Sequence, residues 1–249
     1  MATQLIHLWS GPRNVSTALM YSFAQRSDTQ VVDEPLYAHY LRVSGAQHPG
    51  RDEVLAAQET DGKLVVKNRI LGAWDKPVVF FKQMTHHLVD VDRAFLRRGV
   101  NVLLTRDPLE MLPSLAVQIP QPVMRDTGYA AQAALLDELR RAGQDPPVLD
   151  ARQLLLDPEG VLTQLCARLK LPFEPAMLHW RAGPRPEDGV WARHWYQAVH
   201  QSTGFEPHRP KTAPFPARLQ PLLEQCLKPY AHVAARALRA RPAAERSDR

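Results

Sequence analysis

The residues best suited to chemistry lie near the start of the chain, in the run QLIHLWSGPRNVSTALM over residues 4–20. A short apolar run ends in a Ser-Gly-Pro-Arg turn, and Ser16 and Thr17 then open a helix-forming segment. A strand that leads through a tight loop into a helix presents free backbone N–H groups and the positive end of a helix dipole to one point. Arg13 adds a positive charge, and the two hydroxyls add donors. The pattern predicts a binding site for a phosphate-like anion.

This loop differs from the Walker A motif of ATPases and GTPases. That motif places a Gly and a Lys directly before the hydroxyl residue. Here Val15 precedes Ser16, and the first lysine of the chain is Lys63. An ordinary ATPase or GTPase is therefore disfavoured. A simpler interpretation, in which Ser16 only caps the helix, stays open at this point.

A second basic residue follows another apolar run. Residues 99–114, GVNVLLTRDPLEMLPS, indicate a buried strand that ends just before Arg106 and a helix with a proline in its first turn. Ser114 lies two turns into that helix. Because ligands gather at the carboxyl ends of strands in open parallel sheets, Arg13 and Arg106 are expected on the same rim.

Together the two segments resemble the P-loop-like sulfotransferases, which use 3′-phosphoadenylyl sulfate (PAPS). In that family a Pro-[Arg/Lys]-Ser-Gly-Thr-Thr-like loop holds the 5′-phosphosulfate, and residues 12–17 match it, with Asn-Val in place of Ser-Gly. The resemblance implies that the following residues bind this group: Arg13, Asn14, Val15, Ser16 and Thr17. Val15 can donate its backbone N–H, but it is not expected to take a conformation reserved for glycine. The shape of the loop is thus expected to differ from the family's.

The same resemblance concerns the other phosphate of the donor. In the family, a strand-end Arg and a Ser further along the next helix hold the 3′-phosphate. Arg106 and Ser114 match these two residues in identity and spacing. The resemblance therefore implies that they bind the 3′-phosphate of PAPS.

Two carboxylates follow a predicted strand at residues 30–32. Transfer to a hydroxyl requires a group that takes the hydroxyl proton. In the protein-tyrosine and related sulfotransferases a Glu at the end of this strand has that role, which implies Glu34 as the base and ranks Asp33 below it. The alternative is that either carboxylate only caps a helix that starts at Pro35.

Lys82 and the pair His86 and His87 follow a third predicted strand, at residues 78–81. Cytosolic sulfotransferases place a Lys and a catalytic His near a comparable strand end. This implies that Lys82 stabilises charge on the bridging oxygen and makes either histidine a rival base. Ordinary hydrogen bonds at a helix start are an equal alternative for each histidine. A zinc site is disfavoured, because adjacent histidines point apart and both cysteines are distant in sequence.

The elements that position these residues alternate along the chain between strand-like and helical patterns. This alternation predicts an α/β fold, a three-layer P-loop-like arrangement with a central parallel sheet flanked by helices. Strands are predicted at residues 5–9, 30–32, 78–81, 100–104 and 148–149, and helices at 16–26, 127–142, 158–169 and 216–237.

No linker divides the sequence, so residues 1–240 are expected to form one domain, followed by a disordered Arg-rich tail at 241–249. Residues 181–211 lack periodicity. They form either a loop that covers the substrate or a loosely packed connection.

The composition narrows the class of protein. The chain has 249 residues, of which 45% are hydrophobic and 23% charged, as in globular domains. The net charge of +5 comes mostly from dispersed Arg, and no nucleic-acid-binding motif is recognisable. No apolar run approaches the length of a membrane span, no signal sequence is recognisable, and two cysteines give no disulfide framework. We expect a cytoplasmic protein with neither nucleic acid nor membrane as a partner.

The sequence as a whole predicts a sulfotransferase that moves a sulfuryl group from PAPS to a hydroxyl or amine of a small-molecule acceptor, without a metal. Two alternatives stay open. One is an atypical ATP-dependent kinase, in which Asp107 would be the magnesium ligand. The other is a non-catalytic nucleotide-binding module.

Overall fold

A single parallel sheet forms the centre of the protein, whose computed structural model describes residues 3–242. The strand order is β2-β3-β1-β4-β5, and every neighbouring pair is parallel. The strands are β1 (Gln4–Ser10), β2 (Thr29–Asp33), β3 (Val78–Met84), β4 (Val100–Thr105) and β5 (Val148–Asp150).

Helices connect the strands and cover both faces of the sheet. The α-helices are α1 (Ser16–Ala24), α2 (Tyr37–Ser44), α3 (Arg51–Ala57), α4 (Gly62–Leu64), α5 (Pro108–Gln118), α6 (Met124–Thr127), α7 (Tyr129–Arg141), α8 (Ala151–Leu156), α9 (Pro158–Leu169), α10 (Ala192–Trp195), α11 (Gln197–His200) and α12 (Gln220–Ala234). A π-helical turn covers Val65–Ile70, and 3-10 turns cover Thr85–His87, Arg93–Arg98, Pro175–Leu178 and Ala217–Leu219.

The core is divided by the sheet into two layers of apolar side chains. Successive residues of β3 alternate between them: Phe80 packs with α1 and α9 on one face, and Phe81 packs with α7 on the other. Strands buried on both faces are near-continuous apolar runs, as in β3 and β4. The three-layer α/β fold is thus as the sequence predicts.

The path of the chain brings the loops after four strands to one edge of the sheet. From β1 the chain crosses to β2 at the edge, returns to β3 beside β1, and then passes to β4 on the other side of β1. The carboxyl end of β1 therefore lies at the point where the strand order reverses, which is where ligands bind in open α/β sheets.

Several predicted boundaries differ from the observed ones. Lys82 lies inside β3 rather than after it, and the helix that follows Glu34 begins at Tyr37 rather than at Pro35. Arg241, assigned from the sequence to the tail, donates hydrogen bonds to Asp157 through its side chain and its backbone N–H. The rest of the predicted tail, from residue 243 onward, lies outside the described residues.

Candidate active site

A cavity of about 280 Å³ opens at the carboxyl edge of the sheet. All the site residues predicted from the sequence line it, namely Arg13, Asn14, Val15, Ser16, Thr17, Glu34, Lys82, His86, His87, Arg106 and Ser114. They come from four separate stretches of the chain, each at or just beyond the carboxyl end of a strand. The structure therefore brings the predicted residues together, while the role of each stays a prediction.

The loop between β1 and α1 has an unusual backbone. Arg13 has a φ of 56° and Val15 a φ of 60°, whereas Asn14 between them does not have a positive φ. When residues with positive and negative φ alternate, successive backbone N–H groups point to the same side and form a concave anion-binding site. Among the described residues, no backbone carbonyl accepts a hydrogen bond from the N–H groups of residues 14–18. These donors are free for a ligand.

Val15 corrects one expectation from the sequence, because it adopts the left-handed conformation that was expected to be reserved for glycine. Such a backbone costs a β-branched residue about 1–3 kcal/mol. The Val15 side chain packs against the core layer that contains α1, which holds it in place. Val15 is also the N-cap of α1, with no side-chain hydrogen bond to the cap, so Ser16 is not the capping residue.

The two predicted arginines are in contact with each other at the cavity. The Arg13 Nε donates to Ser114 Oγ at 2.9 Å, and an Arg106 guanidinium nitrogen donates to the Arg13 carbonyl at 3.1 Å. Burial, and then the nearby charge of Arg106, lower the pKa of Arg13. Two neighbouring cations that share a partly buried position gain free energy when an anion joins them.

A carboxylate holds Arg106 in this structure. Glu110, one turn along α5, accepts from the Arg106 Nε at 3.1 Å and from a terminal nitrogen at 3.0 Å. His208 contacts the other Glu110 oxygen at 2.7 Å. Hydrogen bonds from His208 and Arg106 lower the pKa of Glu110, although its burial opposes them. The carboxylate thus occupies donors that a phosphate would also need.

The donor set around the loop and the two arginines fits phosphate-like anions. Two guanidinium groups, free loop N–H groups and the buried Ser16 make up this set. Arginines and backbone N–H groups bind tetrahedral anions without a metal. Among residues 3–242, no group of three or more His, Cys, Asp or Glu side chains is arranged to hold a metal ion.

The same cavity is also lined by a buried cluster of charged groups around Lys82, which is 1% exposed. Lys82 lies beside Asp33 in the register of β2 and β3. Its ammonium donates to Asp33 Oδ1 at 2.9 Å, to Glu34 Oε1 at 2.5 Å and to the hydroxyl of Tyr196. Both carboxylates raise the pKa of Lys82 and so keep it charged, although burial opposes them.

Glu34 is a buried carboxyl group whose pKa is shifted upward. Burial raises its pKa to about 7 against the opposing effect of Lys82, and a carboxylate with a pKa near neutrality is a suitable general base. Its backbone has a φ of 36°. A backbone hydrogen bond from its N–H to the Lys82 carbonyl, at 2.8 Å, helps to fix this conformation. Neither Asp33 nor Glu34 caps α2, whose N-cap is Leu36.

The two histidines are less suited to this role. They form a buried 3-10 turn, and burial is the main cause that lowers the pKa of His86 to about 3 and that of His87 well below its usual value. The His87 ring stacks on Tyr37 at 4.9 Å and on Tyr40 at 4.7 Å. Neither Nδ1 atom has a hydrogen-bond partner among the described residues. The sequence analysis considered ordinary hydrogen bonds for these two histidines. The structure instead shows contacts between their rings and neighbouring aromatic rings.

Asp107 is not among the residues that line the cavity, and its carboxylate caps α5 by accepting from the N–H of Leu109 at 2.8 Å. The kinase alternative requires Asp107 as the magnesium ligand. The cavity therefore lacks the magnesium ligand that this alternative proposed.

Three residues of the site go beyond the sequence assignments. Glu110 could have been found as an acidic residue four positions after Arg106, the spacing of a helical ion pair. Tyr196 and His208 belong to residues 181–211, where the sequence has no periodicity. This segment does cover the cavity, since Trp191, Trp195 and Phe205 also line it.

Comparison with known proteins gives two close relatives in sequence. The chain is 43% and 42% identical, each over 228 residues and 91% of its length, to "Branched-chain-amino-acid aminotransferase-like protein 1" and "protein 2" of Arabidopsis thaliana. It spans only 41% of the length of these curated relatives. Within residues 3–242, no helix is both long and apolar enough to cross a membrane.

Among solved structures, the chain is similar to the "Sulfotransferase Domain from the Curacin Biosynthetic Pathway", with 17% identity and a TM-score of 0.47 over 90% of this chain and 97% of the other. That likeness is too low to support an argument about function. A family model described as "Sulfotransferase domain" matches residues 4–237, nearly the whole chain. The protein therefore belongs to the sulfotransferase-domain family, as the motifs of its sequence indicate.

Proposed function

We propose that this protein transfers a sulfuryl group from PAPS to a hydroxyl, or less favourably an amine, of a small-molecule acceptor. The observation that carries the proposal is that one cavity is lined by two kinds of groups. Two arginines and free loop N–H groups form the first, and the buried pair of Lys82 and Glu34 forms the second. Sulfuryl transfer needs a site for the anionic donor directly beside a base for the acceptor.

The loop residues bind the phosphosulfate in this proposal. Free N–H groups of residues 14–18, together with the hydroxyls of Ser16 and Thr17, donate to its oxygens, and Arg13 supplies the charge. As the bond between sulfur and the phosphate oxygen breaks, negative charge grows on that oxygen. Arg13 and Lys82 stabilise this charge.

Arg106 and Ser114 select PAPS over ATP by contacting the 3′-phosphate. The Ser114 hydroxyl accepts from Arg13, so its own hydrogen is available to a phosphate oxygen. Arg106 uses three of its five N–H donors on Glu110 and on the Arg13 carbonyl. The 3′-phosphate therefore competes with the Glu110 carboxylate for the charge of this guanidinium.

Glu34 takes the proton of the acceptor. An acceptor hydroxyl has a high pKa and becomes a competent nucleophile only as its proton leaves. Glu34 lines the cavity and is ionised in a large fraction of molecules near neutral pH. The histidines, whose pKa values are far lower, hold a proton too weakly to serve as well.

A thermal-shift experiment tests this assignment with three nucleotides. Adenosine 3′,5′-bisphosphate (PAP), ATP and ADP are each added to the purified protein, with and without excess EDTA. We expect PAP to raise the melting temperature most, because ligand binding to the folded state stabilises it, and we expect EDTA to have no effect. A shift by ATP that is abolished by EDTA would support a kinase instead.

A further inference from the structure

The cluster around Lys82 contains a tyrosine from a distant part of the chain. Tyr196 lies in residues 181–211, which we call the covering segment, and is 5% exposed. Its hydroxyl donates to Asp33 Oδ2 at 2.7 Å and accepts from Trp191 Nε1 at 3.0 Å and from Lys82. A hydroxyl has one hydrogen to donate and two lone pairs to accept. All three are used in this arrangement.

The hydrogen-bond donors of the Lys82 ammonium are also all in use. It has three N–H bonds, and these point to Asp33, Glu34 and Tyr196. The ring of Tyr196 also lies under the charge, with the Lys82 nitrogen 4.8 Å from its centroid. While all three bonds are engaged, no N–H of Lys82 remains for a leaving phosphate oxygen. One partner must release it during the reaction.

Of the three partners, Glu34 is the one whose charge changes in the proposed reaction. When its carboxylate takes the acceptor proton it becomes neutral, and its hydrogen bond from the ammonium weakens to that of an uncharged acceptor. Asp33 and Tyr196 keep their hydrogen bonds with Lys82. Asp33 is itself fixed on its other oxygen by Tyr196 and by the N–H of Gly189 at 3.4 Å.

We propose that Tyr196 is a positioning residue, which together with Asp33 holds two N–H bonds of Lys82 so that the third is released from Glu34 to the leaving phosphate oxygen as Glu34 becomes protonated. The proposal rests on the sulfuryl transfer proposed above. In that step the acceptor oxygen bonds to sulfur, and its proton passes to Glu34. The bond between sulfur and the phosphate oxygen breaks with its electron pair on that oxygen, where the freed N–H of Lys82 binds. Proton removal and leaving-group stabilisation are thus coupled through one ammonium.

A matched control is available within the same segment. The hydroxyl of Tyr21 donates to Asp188 Oδ1 at 2.6 Å and so also ties the covering segment to the body of the protein. Tyr21 does not line the cavity. Tyr21→Phe and Tyr196→Phe each remove one tyrosine–aspartate hydrogen bond. Only Tyr196→Phe removes a partner of Lys82.

The first measurement compares kinetics. Release of sulfate from PAPS, or transfer to an acceptor, is measured for the wild type and both variants, with calorimetry of PAP binding. For Tyr196→Phe we expect kcat to fall about 10- to 100-fold, less than the roughly 10²- to 10³-fold that loss of a direct transition-state donor costs, because Tyr196 acts through Lys82, and we expect PAP affinity to stay within about twofold. The kcat of Tyr21→Phe should equal that of the wild type. Equal losses in both variants, or an unchanged kcat in Tyr196→Phe, would overturn the proposal.

The second measurement does not depend on turnover. The Glu34 carboxyl is titrated by carbon-13 NMR and assigned by its absence in Glu34→Gln. Tyr196→Phe removes one of the three hydrogen-bond partners that hold Lys82 beside Glu34, so it should shift the pKa of Glu34, whereas Tyr21→Phe should leave that pKa unchanged. A Glu34 titration that is the same in all three proteins would contradict the positioning role. Wild-type protein that binds no PAP would refute the proposed function instead, while the titration would still report on the cluster.

Discussion

Replacing Glu34 by Gln is the perturbation that separates the candidate bases most clearly. Gln keeps the size and much of the hydrogen bonding of the side chain but cannot take a proton at neutral pH. Turnover should fall by about 10²- to 10⁴-fold, the usual contribution of a positioned general base. PAP affinity should stay nearly constant, because the Glu34 carboxylate is bound by Lys82 and not by either arginine.

The pH dependence follows from the pKa of about 7 that burial gives Glu34. The ionised fraction is about one tenth at pH 6, one half at pH 7 and nine tenths at pH 8. Wild-type kcat should therefore rise about tenfold from pH 6 to pH 8. The residual activity of Glu34→Gln should lack this rise. The assay is sulfate release from PAPS, or transfer once an acceptor is known.

The same carboxyl makes a prediction about stability. Because its folded-state pKa lies above the ordinary 4.5, its contribution is fully present below pH 4.5 and is lost as pH rises through about 7. A rise of this size corresponds to about 3 kcal/mol. The free energy of unfolding of Glu34→Gln, measured in urea, should thus gain up to that amount relative to wild type between pH 4.5 and pH 8. Parallel stability curves, or a silent Glu34→Gln beside one essential histidine, would refute the reasoning.

Four further predictions concern the rest of the cavity. His86→Ala and His87→Ala should lower the melting temperature by removing buried rings, yet reduce kcat far less than Glu34→Gln does. Arg106→Ala should remove the preference for PAP over adenosine 5′-phosphate without unfolding the protein, as calorimetry and circular dichroism can show. Glu110→Gln should strengthen PAP binding several-fold by removing the charge that competes for Arg106, and weaker binding would contradict this. Turnover of PAPS should persist in excess EDTA, and its loss on chelation would favour metal-dependent chemistry.

The fold and the rim of the site could be predicted from the sequence because both depend on local patterns. Apolar runs indicated all five strands, and the residues that follow them must meet where parallel strands end. Arg13 and Arg106 were placed together on this argument alone. The boundaries were less predictable, as for Lys82, because a buried lysine inside a strand depends on partners from other strands.

The rest of the site depends on contacts that no local pattern encodes. Lys82 lies beside Asp33 only because of the register of β2 and β3. Tyr196 belongs to a segment whose sequence has no helical or strand periodicity. Val15 adopts a left-handed backbone because its side chain packs against the core, although a β-branched residue disfavours that conformation. The low basicity of the two histidines arises from tertiary burial, so the sequence could not rank them below Glu34 on physical grounds.

The central claim is that the cavity recognises the 3′-phosphate of PAPS, and calorimetry with two nucleotides tests it most directly. PAP and adenosine 5′-phosphate are titrated into the wild-type protein in EDTA at one ionic strength. A charge-assisted contact contributes about 1.5–3 kcal/mol, so PAP should bind at least about tenfold more tightly. Equal affinities for the two nucleotides would contradict the account.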